Sequence, residues 1–195
     1  MMFIKHEQSS LFLSTYQIQY CLWYFIFMSN TSDGNSTMSN YYNVFVYGTL
    51  KSGEPNHHWF SKGNGHYKLL CNAQTAEKFP LIIATDYNIP FLLYSPGTGN
   101  YVKGEVYEVD KNVLDKLDVL EDHPDFYQRE LHKVNNLDGG GDITAWIYFI
   151  KNFKSHLLQL PMYESYSNNG DHGLRYVIRY TVGGPVNLSS VIKER

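Results

Sequence analysis

Apolar and polar positions fall into short runs over most of this chain. YNVFVYG (42–48), FPLIIAT (79–85), FLLY (91–94) and YVKGEVYEV (101–109) are β-branched or aromatic stretches bounded by Gly, Pro and Asn, a pattern that predicts strands. SPGTGN predicts a hairpin turn between the third and fourth of these. FYQRELHKV and ITAWIYFI predict a second hairpin across NNLDGGGD. One segment has the helical period instead. In DKNVLDKLDVLEDHP (110–124), Val113, Leu114, Leu117 and Leu120 form an apolar stripe, Asp110 is a ready N-cap and Pro124 a stop. Seven or so short strands with few helices predict the α+β class, built as a small curved mixed β-barrel.

The 195 residues suffice for one domain with a real core. The strand pattern starts only near residue 42, so the reading divides the chain into an extension and linker (1–40), a domain (41–180) and a C-terminal tail (181–195). Within the extension, LFLSTYQIQYCLWYFIFM (11–28) is apolar but interrupted by Ser14, Thr15, Gln17 and Gln19, whereas a span takes about 20 mostly apolar residues. No small-residue cleavage site follows it. The expected location is therefore cytoplasmic, with a membrane-anchored or secretory role for residues 11–28 as the alternative. The Ser/Asn/Thr-rich stretch 29–40 reads as linker.

A formal net charge of -3 leaves no basic footprint for nucleic acid, so a neutral or small polar partner is expected and no obligate protein partner is implied. Cys21 and Cys71 cannot form a disulfide framework. Although His57 and His58 are adjacent, no ligand spacing surrounds them; the expectation is no metal and no cofactor, with the pair flanking a short helix. There is no G-x-S-x-G, G-x-x-x-x-G-K-[ST] or H-E-x-x-H motif. One carboxylate stands out. At about 100° per residue, Glu121 falls about 20° from Leu114 and about 40° from Leu117, at the edge of the apolar stripe, while Asp115, Asp118 and Asp122 lie further toward water. A carboxylate drawn inward becomes a usable acid or base, or it snorkels, or it pairs with Arg129.

VFVYGTLKSGEPNHH, FPLIIATDYNIPFLL, VKGEVYEVD, LDVLEDHPDFYQRE and HGLRY, in this order over residues 43–176, resemble the γ-glutamylcyclotransferase-like (AIG2-like) superfamily. Thr49-Leu50 are similar to its γ-glutamylamine branch; relatives acting on γ-glutamyl amino acids tend to carry a YGSN-like loop. The resemblance implies a small barrel with a pocket at one end, Glu121 as acid/base, and Tyr47, Gly48, Thr49 and Leu50 holding the γ-glutamyl group of a small-molecule substrate. The implied reaction turns an L-γ-glutamylamine, such as ε-(γ-glutamyl)-lysine, into 5-oxoproline and free amine. The alternatives are turnover of γ-glutamyl amino acids or glutathione, and a non-catalytic scaffold. Tyr47 is expected to contribute chiefly backbone, and Gly48 to permit close ligand approach or an unusual φ. Asn88 and Tyr127 are candidates for the pocket mouth or for turn and packing roles. Arg175 is a candidate for the substrate carboxylate or for a surface ion pair.

Overall fold

The computed structural model of the chain describes residues 40–62, 64–178 and 188–194. The apolar stretch 11–28, Cys21 and nearly all of the linker lie outside the described residues. Five strands close a barrel: β1 (Tyr42–Val46), β2 (Tyr67–Phe79), β5 (Asn100–Val109), β6 (Gln128–Asn136) and β7 (Ile143–Phe149), in the order β1-β5-β2-β6-β7. All neighbours are antiparallel except β1 and β7, which close the barrel in parallel at Val44 and Trp146. A separate two-stranded sheet pairs β3 (Leu81–Ala84) with β4 (Ile89–Leu92). One ten-residue helix, α1 (Lys111–Leu120), follows β5. A short helix, α2 (Leu188–Ile192), lies in the segment read as tail and buries Leu188 and Ile192. The expected mixed barrel with few helices is the observed architecture.

The second half of β1, Val44–Val46, is apolar because both of its faces are covered. Phe45 and Tyr47 point into the barrel with Cys71, Ala73, Val102, Val106, Val134, Ala145, Ile147 and Phe149. Val44 and Val46 point outward into a second core layer shared with Tyr107, Tyr148, Ile150 and the α1 residues Val113, Leu114 and Leu117. Burying each of these helix side chains stabilises the fold by about 1.5–3 kcal/mol at most. Leu120, the fourth residue of the expected stripe, is only partly buried. Asp110 caps the helix as expected, its carboxylate accepting from the Val113 N–H at 2.9 Å. The helix ends at Leu120 rather than at Pro124, because Asp122 turns left-handed (φ 51) and the chain folds back on itself.

Two further expectations need correcting. SPGTGN does not close a hairpin: β4 pairs with β3 in the small sheet and β5 pairs with β1 and β2, so this segment crosses from one sheet to the other. The 13-residue β2 was not anticipated. Cys71, Ala73 and Thr75 along its inward face are small or polar ahead of the large Phe79, and its register shifts twice against β5. At the second irregularity the buried Thr75 hydroxyl accepts the Val102 N–H at 2.9 Å. The β6–β7 hairpin matches its expectation, in register from Gln128/Phe149 to Val134/Ile143.

Candidate active site

β1 leaves the barrel after Val46 and enters a tight turn. Lys51 N–H donates to the Gly48 carbonyl (3.1 Å) and Asn56 N–H to the Thr49 carbonyl (2.9 Å). Asn56 Nδ2 also donates to Thr49 Oγ1 (3.0 Å), and His57 Nδ1 lies 3.0 Å from the Leu50 carbonyl. His57 and His58, expected to flank a short helix, instead lie within one, a 3₁₀ turn with Trp59 that follows Asn56. The hydrogen bonds of the turn thus engage its carbonyls. Among the described residues, the N–H groups of Gly48, Thr49 and Leu50 donate to no partner.

Gly48 does not have a positive φ, which removes one of the two reasons expected for it. A Cβ at this position would come within 2.8 Å of Pro90 Cγ. The missing side chain therefore makes room for β4 packing against the turn. Tyr47 contributes more than backbone: its ring is 7% exposed within the barrel core, and its hydroxyl donates to the Tyr148 carbonyl at 2.8 Å.

The end of α1 supplies the carboxylates. Glu121 is half-buried and its backbone is fixed on both sides, N–H to the Leu117 carbonyl (2.9 Å) and carbonyl from the Tyr127 N–H (3.2 Å). Burial, then the nearby Glu121 charge, push the Tyr47 phenol well above its ordinary value against an opposing contact with the Leu92 backbone. Tyr148 is raised by burial, by its hydrogen bond to Asp118 and by the charges of Asp118 and Glu121. Glu121 therefore stands within electrostatic reach of the phenol at the base of the turn.

Asp118 does not face water as expected. It is held by Arg129 through two hydrogen bonds (Nε to Oδ1 2.7 Å, Nη2 to Oδ2 3.0 Å) and by the Tyr148 hydroxyl (2.6 Å), with its side chain only 19% exposed. Burial raises its carboxyl, but the Arg129 and Tyr148 hydrogen bonds and the guanidinium charge outweigh that and hold it below the usual value. Arg129, weighed as a partner for Glu121, pairs with Asp118 and lies over the Trp146 ring at 4.3 Å. The sequence reading missed this buttress. An arginine on the strand following an acidic helix was its one available signal.

Tyr127 is a packing residue, 7% exposed and stacked on Phe91. Asn88 is a turn residue with φ 52, and its side chain holds the Arg175 carbonyl at 2.8 Å. Among the described residues, no group of His, Cys, Asp and Glu has metal-holding geometry. No helix among them is long and apolar enough to cross a membrane.

A closed five-stranded mixed barrel with a half-buried carboxylate beside a strand-ending turn describes a class of small α+β proteins. Residues 44–168 match the family model for γ-glutamyl cyclotransferase, AIG2-like proteins, and the chain belongs to that family. A Drosophila melanogaster protein with a provisional γ-glutamylcyclotransferase name is 52% identical over 126 residues, covering 64% of this chain and 80% of that one. The γ-glutamylaminecyclotransferase C of Danio rerio is 47% identical over 143 residues, 71% of this chain and 94% of its own. The crystal structure of an AIG2-like protein from Mus musculus superposes with a TM-score of 0.70 at 42% identity, covering 73% of this chain and 99% of that one.

Proposed function

We propose that this protein is a γ-glutamylamine cyclotransferase that converts an L-γ-glutamylamine to 5-oxoproline and free amine. The observation that carries the reading is the half-buried Glu121 placed within electrostatic reach of Tyr47, at the base of a turn whose Gly48, Thr49 and Leu50 N–H groups have no described partner. The name of the zebrafish relative supports the amine as leaving group.

The substrate's own α-amine attacks its γ-carbonyl and closes a five-membered ring. Well-oriented intramolecular attacks of this kind reach effective molarities of about 10⁵–10⁸ M, so no enzyme nucleophile is needed. Glu121 takes the proton from the α-ammonium, whose pKa is about 8, and returns it to the departing nitrogen as the C–N bond breaks. Asp118 is the poorer base because Arg129 holds it ionised. The N–H groups of Gly48, Thr49 and Leu50 stabilise the oxyanion that forms on the γ-carbonyl. Tyr47 anchors the start of the turn through its bond to β7. A cytoplasmic location suits the chemistry and Cys71, which is buried and unpaired.

The Drosophila relative's name specifies no amine, and a second reading takes an α-amino acid as the leaving group. Incubation with ε-(γ-glutamyl)-lysine, γ-glutamyl-alanine and glutathione, with 5-oxoproline as readout, decides between them. The expected result is release from the lysine isopeptide at a kcat/KM at least about tenfold above the other two. Release from γ-glutamyl-alanine alone transfers the protein to the second reading, and no release from any substrate ends both.

A further inference from the structure

Lys51 occupies an unusual place. Its backbone N–H closes the turn onto the Gly48 carbonyl, and its ammonium, partly buried, donates to the Tyr166 carbonyl at 2.5 Å. Residues 163–177 run as an irregular strap with turns around Ser167–Gly173, joined to the small sheet by Tyr163 N–H to the Leu81 carbonyl (2.8 Å) and to the barrel by Lys103 N–H to the Glu164 carbonyl (2.7 Å). Where the strap passes the turn it is held twice, by Lys51 and by Glu54, whose Oε2 accepts the Asn168 N–H at 2.9 Å. Asn168 Oδ1 then accepts the Tyr176 N–H at 2.6 Å, which folds the strap onto itself. Its far end docks on the Thr85–Asn88 turn through Val177 N–H to the Tyr87 carbonyl (3.0 Å) and Asn88 Nδ2 to the Arg175 carbonyl (2.8 Å).

That second turn leads back to the first. Thr85, β-branched, sits at φ 69 and Asn88 at φ 52, conformations that persist only where surrounding contacts enforce them. Two residues later Pro90 packs against Gly48, leaving no room for a side chain. The contacts thus form a circuit: Lys51 to the strap, strap to the Thr85–Asn88 turn, Pro90 to Gly48. The flank of Lys51 is fixed as well, since Glu105 Oε2 accepts both the Ser52 N–H and the Tyr107 hydroxyl at 2.8 Å.

We propose that Lys51 is a positioning residue for cyclisation, which clamps the Gly48–Leu50 turn to the 166–177 strap and so holds its N–H groups in their catalytic orientation. The inference rests on the oxyanion role assigned to those groups above. Lys51 touches no reacting atom; it acts by denying the turn a second conformation.

The test replaces the ammonium with an apolar chain of similar length, Lys51→Met, alongside Lys51→Arg, which keeps a donor. In Lys51→Met kcat should fall about 10-fold to 10²-fold, the range for a misplaced catalytic geometry, with KM within about threefold of wild type. Lys51→Arg should recover most of the loss, which a purely volumetric role would not produce. Amide hydrogen exchange at Asn56, whose N–H bonds the Thr49 carbonyl, should accelerate about 10-fold or more in Lys51→Met, and this measurement needs no turnover. Wild-type kcat in Lys51→Met overturns the proposal, as does an arginine variant no better than the methionine one. Should Lys51→Met fail to fold, Asn168→Ala decides by the same two readouts, unchanged values overturning the clamp and lowered kcat with faster Asn56 exchange supporting it. If wild-type protein releases no 5-oxoproline, the functional reading fails, while the exchange measurement still decides whether Lys51 fixes the turn.

Discussion

Two carboxylates at the end of α1, three residues apart, stand in opposite surroundings. Asp118 is surrounded by donors: two from Arg129 and one from the Tyr148 hydroxyl. Every one of them favours its ionised form, and together they tie the helix to β6 and β7. Glu121 lies one residue past the helix, half-buried, with its charge felt by two phenols that are themselves buried. A carboxylate saturated with donors is a strut, because protonating it would break what it holds. Glu121, whose charge reaches Tyr47 at the foot of the Gly48–Leu50 turn, is the carboxylate proposed above to exchange a proton. Proximity to a candidate site does not by itself assign a role; for Asp118 the donor set does.

The contrast is sharpest in Glu121→Gln, which keeps shape and hydrogen-bonding size but cannot take up a proton. Release of 5-oxoproline should fall by about 10²–10⁴-fold, the usual cost of losing general acid–base catalysis. The melting temperature should hold or rise, since a neutral amide is easier to desolvate than an anion. Product affinity should largely persist if, as proposed, the turn supplies the polar contacts to the γ-glutamyl group. Near-wild-type turnover would make Glu121 a second strut and end the proposed mechanism.

Asp118→Asn should behave in the opposite sense. It leaves Arg129 facing a neutral amide and should cost about 1.5–3 kcal/mol, the range for hydrogen bonds to charged groups. At about 2–4 °C per kcal/mol for a chain of this size, thermal melting would register the loss clearly, with turnover within about threefold of wild type. The same pairing fixes a pH dependence. The folded carboxyl sits below its ordinary value, so its stabilisation is fully present above the unfolded pKa of about 3.9 and is lost as pH falls through the lower folded value. Melting curves from pH 6 to pH 2 should show that loss in wild type and its absence in Asp118→Asn.

How much of this was legible beforehand differs from one element to the next. β1 and β7 announce themselves because dense runs of Val, Ile, Phe and Tyr are hard to read as anything else, and α1 because its stripe and Asp110 cap agree. β2 stayed hidden. Its buried residues are Cys71, Ala73, Thr75 and Phe79, and the short alternation of the first three is faint between the exposed Lys68, Leu69 and Leu70 on one side and Lys78 on the other. SPGTGN looked like a hairpin because turn chemistry is local, whereas which strands pair is decided by barrel closure. Within the site, helical geometry alone put Glu121 at the edge of the stripe. It also put Asp118 toward water, since a helical wheel carries no information about a guanidinium arriving from β6. Gly48 was singled out for ligand approach or an unusual φ, whereas the constraint seen is the ring of Pro90, 42 residues away in sequence, which no local pattern could disclose.

The finest test concerns Tyr148, which belongs to both surroundings. Its hydroxyl donates to Asp118 at 2.6 Å, and its own pKa is pushed up partly by Glu121. Tyr148→Phe removes the hydroxyl and leaves the ring; it also leaves the backbone carbonyl that accepts from Tyr47. If the phenol serves the strut, the variant should lose about 1 kcal/mol, less than Asp118→Asn because both Arg129 bonds survive. Turnover should stay within about twofold of wild type. Combined with Asp118→Asn it should cost less than the sum of the two single changes, since the phenol's partner is altered in both. The midpoint of the acid transition should move upward in Tyr148→Phe, as Asp118 loses one of the bonds that depress its pKa. A tenfold fall in turnover at an unchanged melting temperature would instead place Tyr148 beside Glu121 in the chemistry, and the division between strut and acid would have to be redrawn through this one ring.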